Sequence, residues 1–247
     1  MNAAPADQIR LLDLQAIDSK LDQLAHRRRS LPEHAEIEKV NADHIALKDL
    51  VIAAQAQLGD TTRELTKAEQ DVEQVRARSA RNQQRLDSGA INSPKDLENL
   101  QHEIGSLAKR QGDLEDVVLE IMERLESAQT RVTELTARLE HSTVVLTEAE
   151  GRRDAAFAEI DGEVAKIRRD RETVAAVVPA DLIKVYTRLR EQQGGVGAAR
   201  LYQRRCEGCR TEFSITELNA IKAEPVDKVV RCENCGRILV RTADSGA

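Results

Sequence analysis

The chain has 247 residues, of which 32% are charged and 2% aromatic, with no Trp and a formal net charge of −6. A compact core of that length normally draws on more aromatic volume, so the composition excludes an ordinary globule and indicates a long helical chain. The acidic balance gives no global attraction to nucleic acid or anionic membrane, and no apolar run approaches the roughly 18 residues of a membrane span.

Residues 1–6 are expected to be frayed, and the first ten residues show neither the basic nor the apolar segment of a secretory signal, which points to a cytoplasmic protein. A first helix is expected over about 7–30, with Leu14, Ile17, Leu21, Leu24 and Leu31 in a 3-4 pattern. Pro32 ends that register, and Ser30 suits the cap of a new helix. Helices over about 33–87 and 94–178 follow, each carrying an a/d seam far longer than the three or four heptads that identify a coiled coil. Leu58, Leu65 and Val72 are examples from the first arm, and Leu107, Leu114 and Ile121 from the second. The connection at 88–93 has Gly89 for a C-cap and Ser93-Pro94 for an N-cap and first helical position, so the arms should form an antiparallel hairpin. Charge matching suggests that residue i faces residue 179 − i. Leu58 then meets Ile121, and Arg85–Asp96, Arg78–Glu103, Asp71–Arg110 and Asp43–Arg138 form flanking pairs. The paired arms would span roughly 75 Å. Arg76 and Arg81 are left without acidic partners. His26-Arg27-Arg28-Arg29 reads as cations complementing a helix C-terminus, and His44 as a polar seam residue.

A short amphipathic helix is expected over 180–193. Gly194, Gly195 and Gly197 then suggest a flexible joint over 194–199, so that 1–193 is a helical domain and 200–247 a separate one. Candidate strands there are 198–204, 228–231 and 237–241, with a helix near 214–223. All four cysteines lie in this last part, as Cys206-Glu207-Gly208-Cys209 and Cys232-Glu233-Asn234-Cys235. Two Cys-x-x-Cys knuckles in a reducing compartment favour one structural Zn²⁺ over disulfides, and Gly208 and Gly236 suit the knuckle turns. Four thiolates leave no open position for water or substrate, and a domain this small needs the metal to fold. The ribbon is weakly basic; Arg200, Arg204, Arg205, Arg210, Arg231 and Arg237 are its candidate nucleic-acid contacts, while Tyr202 and Phe213 read as core. No Walker loop, nucleophile elbow or dinucleotide fingerprint is present, so the chain reads as non-enzymatic with no small-molecule substrate.

The tip, Ile91-Asn92-Ser93-Pro94-Lys95-Asp96-Leu97-Glu98-Asn99-Leu100, together with the ending Cys232-Glu233-Asn234-Cys235-Gly236-Arg237, resembles the bacterial C4-type zinc-ribbon family with a long N-terminal helical hairpin. The resemblance implies a mainly α fold, an antiparallel coiled-coil hairpin with a small C-terminal β-rich ribbon. It also implies zinc on Cys206, Cys209, Cys232 and Cys235. Members of that family are linked to flagellar or type III secretion as chaperone-like adapters, and to RNA or transcription-factor binding. Glu233 stands where the family often has Pro, and Val240 where an aromatic is common. The expected function is therefore an adapter that binds protein partners, with Ile91, Asn92, Lys95, Asp96, Glu98 and Asn99 as the candidate contact at the tip. The alternative is a nucleic-acid-binding or transcription-associated factor acting through the ribbon and the tip.

Overall fold

A computed structural model describes residues 1–91 and 93–246. The helices are α1 (Pro5–Arg29), α2 (Pro32–Asp87), α3 (Pro94–Ala176), α4 (Ala180–Gln192) and α5 (Ile215–Ala223), and the strands β1 (Ala198–Tyr202), β2 (Arg205–Cys206), β3 (Val230–Arg231) and β4 (Ile238–Val240). Two compact units result: Met1–His34 with Gly151–Ala247, and Ala35–Glu150.

The Ala35–Glu150 unit is the coiled-coil hairpin. Its buried apolar side chains, among them Val51, Ala68, Val72, Leu100, Ile121 and Leu135, all fall on the a/d seam, as the heptad pattern requires. The register differs from the one the charges suggest. Arg78–Glu103 does form, at 2.6 Å, but Arg76 pairs with Glu115 at 2.6 Å and Arg124 with Glu64 at 3.0 Å. Leu58, Thr62 and Leu65 line one groove with Met122, Leu125 and Gln129. These contacts set Leu65 level with Ile121 and Val72 level with Leu114, about one heptad (~7 residues) further along α3 than expected. A seam of period seven keeps its apolar residues paired after such a slide, and long charged side chains reach across it. The first turn of α3 then extends past the end of α2, which is why Leu97, a seam position, is 38% exposed while Leu100 is 7% exposed. Gly89 at φ 67° closes α2, and the Ser93 hydroxyl accepts from the Asp96 amide. Asn92 lies outside the described residues.

The other unit is built around a four-stranded sheet of order β2-β1-β4-β3, in which β1 and β4 run parallel and the outer pairs antiparallel. Alternation along the strands gives the sheet two packed faces. Ala198, Ile238 and Val240 pack with Leu11 and Leu14 of α1 and with Leu182, Tyr186 and Leu189 of α4. Ala199, Leu201 and Leu239 pack with Phe213, Leu218, Ile221, Cys206 and Cys232.

Three expectations are corrected here. Residues 1–6 are not frayed. Val229 N donates to Met1 O and Ala3 N to Asp227 O, Ala3 is buried, and α1 begins at Pro5. Residues 194–199 are not a loose joint. Gln15 Oε1 accepts from the amides of Gly197 (2.7 Å) and Ala198 (3.4 Å), and its Nε2 donates to Gly195 O. Ala198 and Ala199 belong to β1, and a Cβ on Gly197 would sit 2.6 Å from Tyr186 O. Ser30 caps the end of α1 rather than the start of α2, its hydroxyl donating to His26 O.

The buried face of α1 is partly polar, which the leucine pattern conceals. Asp18, 2% exposed, accepts from Arg171 Nε at 2.6 Å and from the Tyr186 hydroxyl at 2.8 Å, with Arg190 Nε at 3.6 Å. Burial, reinforced by the hydrogen bond to Asp18, pushes the Tyr186 hydroxyl's pKa far up, so it stays a donor. Arg27 and Arg28, expected to complement the helix end, pair with Glu159, Glu163 and Asp161 of α3, and Arg28 stacks 4.1 Å from the Phe157 ring centre.

Asp18→Ala removes a buried acceptor that takes two hydrogen bonds from Arg171 and one from Tyr186, and should lower unfolding free energy by about 3 kcal/mol or more, with Asp18→Asn costing less. Urea unfolding followed by Tyr fluorescence checks it. Equal stability of wild type and Asp18→Ala would show that the cluster is not a structural constraint.

Candidate metal centre

Each cysteine pair sits on a tight turn, and the two turns are built alike. In the first, Cys206 N donates to Thr211 O and Arg210 N to Cys206 O. In the second, Cys232 N donates to Arg237 O and Gly236 N to Cys232 O. The residue after the second cysteine is left-handed in both, Arg210 at φ 62° and Gly236 at φ 72°. Gly236 therefore plays the part expected of it, whereas Gly208 serves close approach instead. A Cβ there would lie 2.8 Å from Arg237 Cδ and 2.9 Å from Ala199 Cβ.

The turns bring the four Sγ atoms within 4.8 Å of one another. Cys206 and Cys235 are 3.9 Å apart, and Cys209 and Cys232 3.8 Å. A tetrahedron of thiolates around Zn²⁺ at about 2.3 Å has edges of about 3.8 Å, whereas a disulfide needs about 2.0 Å. The donor set fits a single zinc and closes all four positions, so the centre is structural. Burial pushes the Cys206 and Cys232 thiols up. Burial also opposes ionisation of Cys209, but hydrogen bonds from the Thr211 hydroxyl and amide, with those from the Cys235 and Cys206 thiols, outweigh it and bring that thiol down to about 6. Thr211 is thus a supporting residue that cysteine spacing does not reveal.

The candidate nucleic-acid arginines are dispersed. Arg200 bonds Glu207, approaches Asp244 and stacks 4.5 Å over Tyr202. Arg204 and Arg205 both face Glu212. Arg237 donates to Val196 O and Gln193 O. Arg210 and Arg231 have no ion pair among the described residues. Phe213 is core at 2% exposure, while Tyr202 is only half-buried beneath Arg200. Ser214 caps α5 in a reciprocal capping box with Glu217.

Chelation should unfold the Phe213–Leu218–Ile221 core while leaving most helical circular dichroism, and zinc retention should fall as pH drops because protons compete for the thiolates. Arg210→Gly relieves a left-handed non-glycine residue and should stabilise the loaded ribbon by about 0.5–1 kcal/mol; Gly236→Ala should destabilise it by about 1 kcal/mol. Chelator competition read with a chromogenic zinc dye separates the two signs.

Residues 14–194 match the CT398-like coiled coil hairpin domain, and residues 205–239 the C4-type zinc ribbon domain. An uncharacterized protein of Mycobacterium tuberculosis is 38% identical over 241 residues, covering 98% of both chains. One of Mycobacterium leprae is 32% identical over 227 residues, covering 91% of this chain and 96% of its own. A solved structure from Mycobacterium smegmatis is similar at TM-score 0.86 and 33% identity, covering 98% of this chain and 100% of that one. CT398 from Chlamydia trachomatis shares the fold at TM-score 0.73 and 17% identity, covering 96% of this chain and 98% of that one. The chain belongs to the family of bacterial proteins that join a CT398-like coiled coil hairpin to a C4-type zinc ribbon.

Proposed function

We propose that the chain is a non-enzymatic cytoplasmic adapter that binds protein partners, its ribbon held by zinc on Cys206, Cys209, Cys232 and Cys235. The observation that carries this reading is the engagement of the ribbon's arginines. Nucleic-acid binding draws on cations that release counterions from a phosphate backbone. Here Arg200, Arg204 and Arg205 are matched by Glu207, Glu212 and Asp244. Arg237 and Arg241 are turned onto backbone carbonyls, Arg241 onto those of Ile221, Glu224, Pro225, Val226 and Lys228. Five of the ribbon's seven arginines are thus spent in holding it together; the other two, Arg210 and Arg231, have no ion pair among the described residues and are too few to form a phosphate-binding face.

Two further points favour protein partners. The closed four-thiolate centre offers no reactive position. At the tip, Lys95, Asp96, Glu98 and Asn99 are exposed around the uncovered side chain of Leu97, with Ile91 half-buried beside them. An apolar residue ringed by polar ones is the usual make-up of a small protein contact. No helix among the described residues is long and apolar enough to cross a membrane.

The test is a salt titration of zinc-loaded protein against labelled mixed-sequence RNA and the matching DNA, alongside photo-crosslinking from position 97. The adapter reading expects no binding tighter than roughly 10 μM at 50 mM salt, and protein adducts that Asp96→Ala and Glu98→Ala weaken. Micromolar binding with a steep salt slope, lost in Arg205→Ala and Arg210→Ala, would replace it with the nucleic-acid reading.

A further inference from the structure

The two edges of the coiled-coil hairpin differ in kind. Residues flanking an a/d seam are ordinarily charged. One edge follows the rule, with Asp43, Glu64, Asp71, Arg78, Arg110, Arg124, Arg131 and Arg138. The other, over residues 41–66 of α2 and 119–147 of α3, has only Lys48, Glu126 and Glu140 among its e and b positions. It carries instead Ile45 (53% exposed), Ile52 (58%), Leu119 (58%) and Met122 (48%). Five of its six threonines spend their hydroxyls on their own helices. Thr62 bonds Leu58 O, Thr66 bonds Thr62 O, Thr133 bonds Gln129 O, Thr143 bonds Leu139 O and Thr147 bonds Thr143 O. With these five hydroxyls already donated, a partner there meets mostly methyl groups. Gly59 lies on the same edge, and a Cβ there would meet nothing within 4 Å. A glycine inside a helix is unfavourable relative to alanine, and no neighbour in the folded hairpin requires this one, as none requires Gly105 or Gly112.

We propose that this edge is a self-association surface on which a second copy of the chain packs to form a four-helix bundle. Three features select a copy over another partner. The edge is close to neutral, so two chains of net charge −6 meet where like charges are fewest. The weakly charged stretch runs about 28 residues, or ~42 Å, along a face two helices (~20 Å) wide, and the resulting ~840 Å² matches the ~800 Å² per partner of a stable interface. It is also self-complementary. An antiparallel twofold between Gln55 and Ala56 sets Ile52 of each chain against Gly59 of the other and Ile45 against Thr66, apolar knobs facing small residues. The surface uses none of the residues assigned to the tip or the ribbon, and the proposal goes beyond the adapter reading.

Sedimentation equilibrium of the zinc-loaded full chain, 27.4 kDa as a monomer, tests it. The expected result is a dimer whose dissociation constant rises at least about 100-fold in Ile52→Glu with Leu119→Glu. The same rise is expected in the milder Gln55→Arg with Thr62→Arg, which alters only exposed polar positions and so keeps the test valid where the first variant misfolds. Leu50→Glu with Val117→Glu, exposed apolar positions on the charged edge, should leave the dimer intact. A monomer at 100 μM, a dimer indifferent to the first two variants, or equal loss in all three overturns the proposal. A monomer would turn the edge over to a different protein.

Discussion

A carboxylate almost without access to water must be surrounded by donors, and Asp18 fixes where the elements around it sit. Arg171 comes from the end of α3, Tyr186 and Arg190 from α4, and the carboxylate itself from α1. Satisfying one buried charge therefore sets three helices at once. Gln8 and Gln15 extend the same logic from the same helix. Gln8 Nε2 donates to Ala3 O and Asp227 O, while Gln15 holds Gly195, Gly197 and Ala198. The start of the chain and the start of β1 are both fastened by amide side chains that a hydrophobicity pattern scores as solvent-facing.

The sheet then takes its stability from two unlike sources. On one face, Ile238 and Val240 are buried by α1 and α4 through ordinary apolar packing. On the other, Phe213, Leu218 and Ile221 make a core too small to stand by itself, and the cysteines complete it. Arg237 joins the two sides. Its backbone carbonyl closes the second knuckle, its aliphatic stem packs on Gly208 of the first, and its guanidinium ends on Gln193 and Val196 beyond α4. A side chain read in isolation as a nucleic-acid contact is here a structural tie.

Much of this was legible in the sequence, and the failures have definite causes. The heptads fix which residues line the seam, because one face of a helix must be buried whatever it packs against. The metal site is legible because ligand spacing is local chemistry. Register was misread because a seven-residue period is satisfied equally well by neighbouring offsets, and the charges at the edge repeat with nearly the same period. The pairs Arg76–Glu115 and Arg124–Glu64, with the exposed Leu97 and buried Leu100 at the start of α3, break the degeneracy. The joint at 194–199 was misread because glycine signals two opposite things. Gly194 and Gly195 take positive φ, at 66° and 92°, as a helix end requires. Gly197 is small because Tyr186 leaves no room. Neither use is flexibility.

The same distinction between pattern and context governs the charges. The chain is almost one-third charged, yet its cations are spent in different ways. Along the charged edge of the hairpin they pair across helices, each exposed pair contributing only about 0.2–1 kcal/mol, so they favour antiparallel pairing more than they add stability. In the ribbon most of them pair with nearby glutamates or donate to backbone carbonyls, as Arg241 does to five of them. A count of arginines could not separate these roles from a phosphate-binding face, since all three give the same composition. What separates them is whether each guanidinium already has an acceptor within reach, and that depends on contacts between residues far apart in the chain.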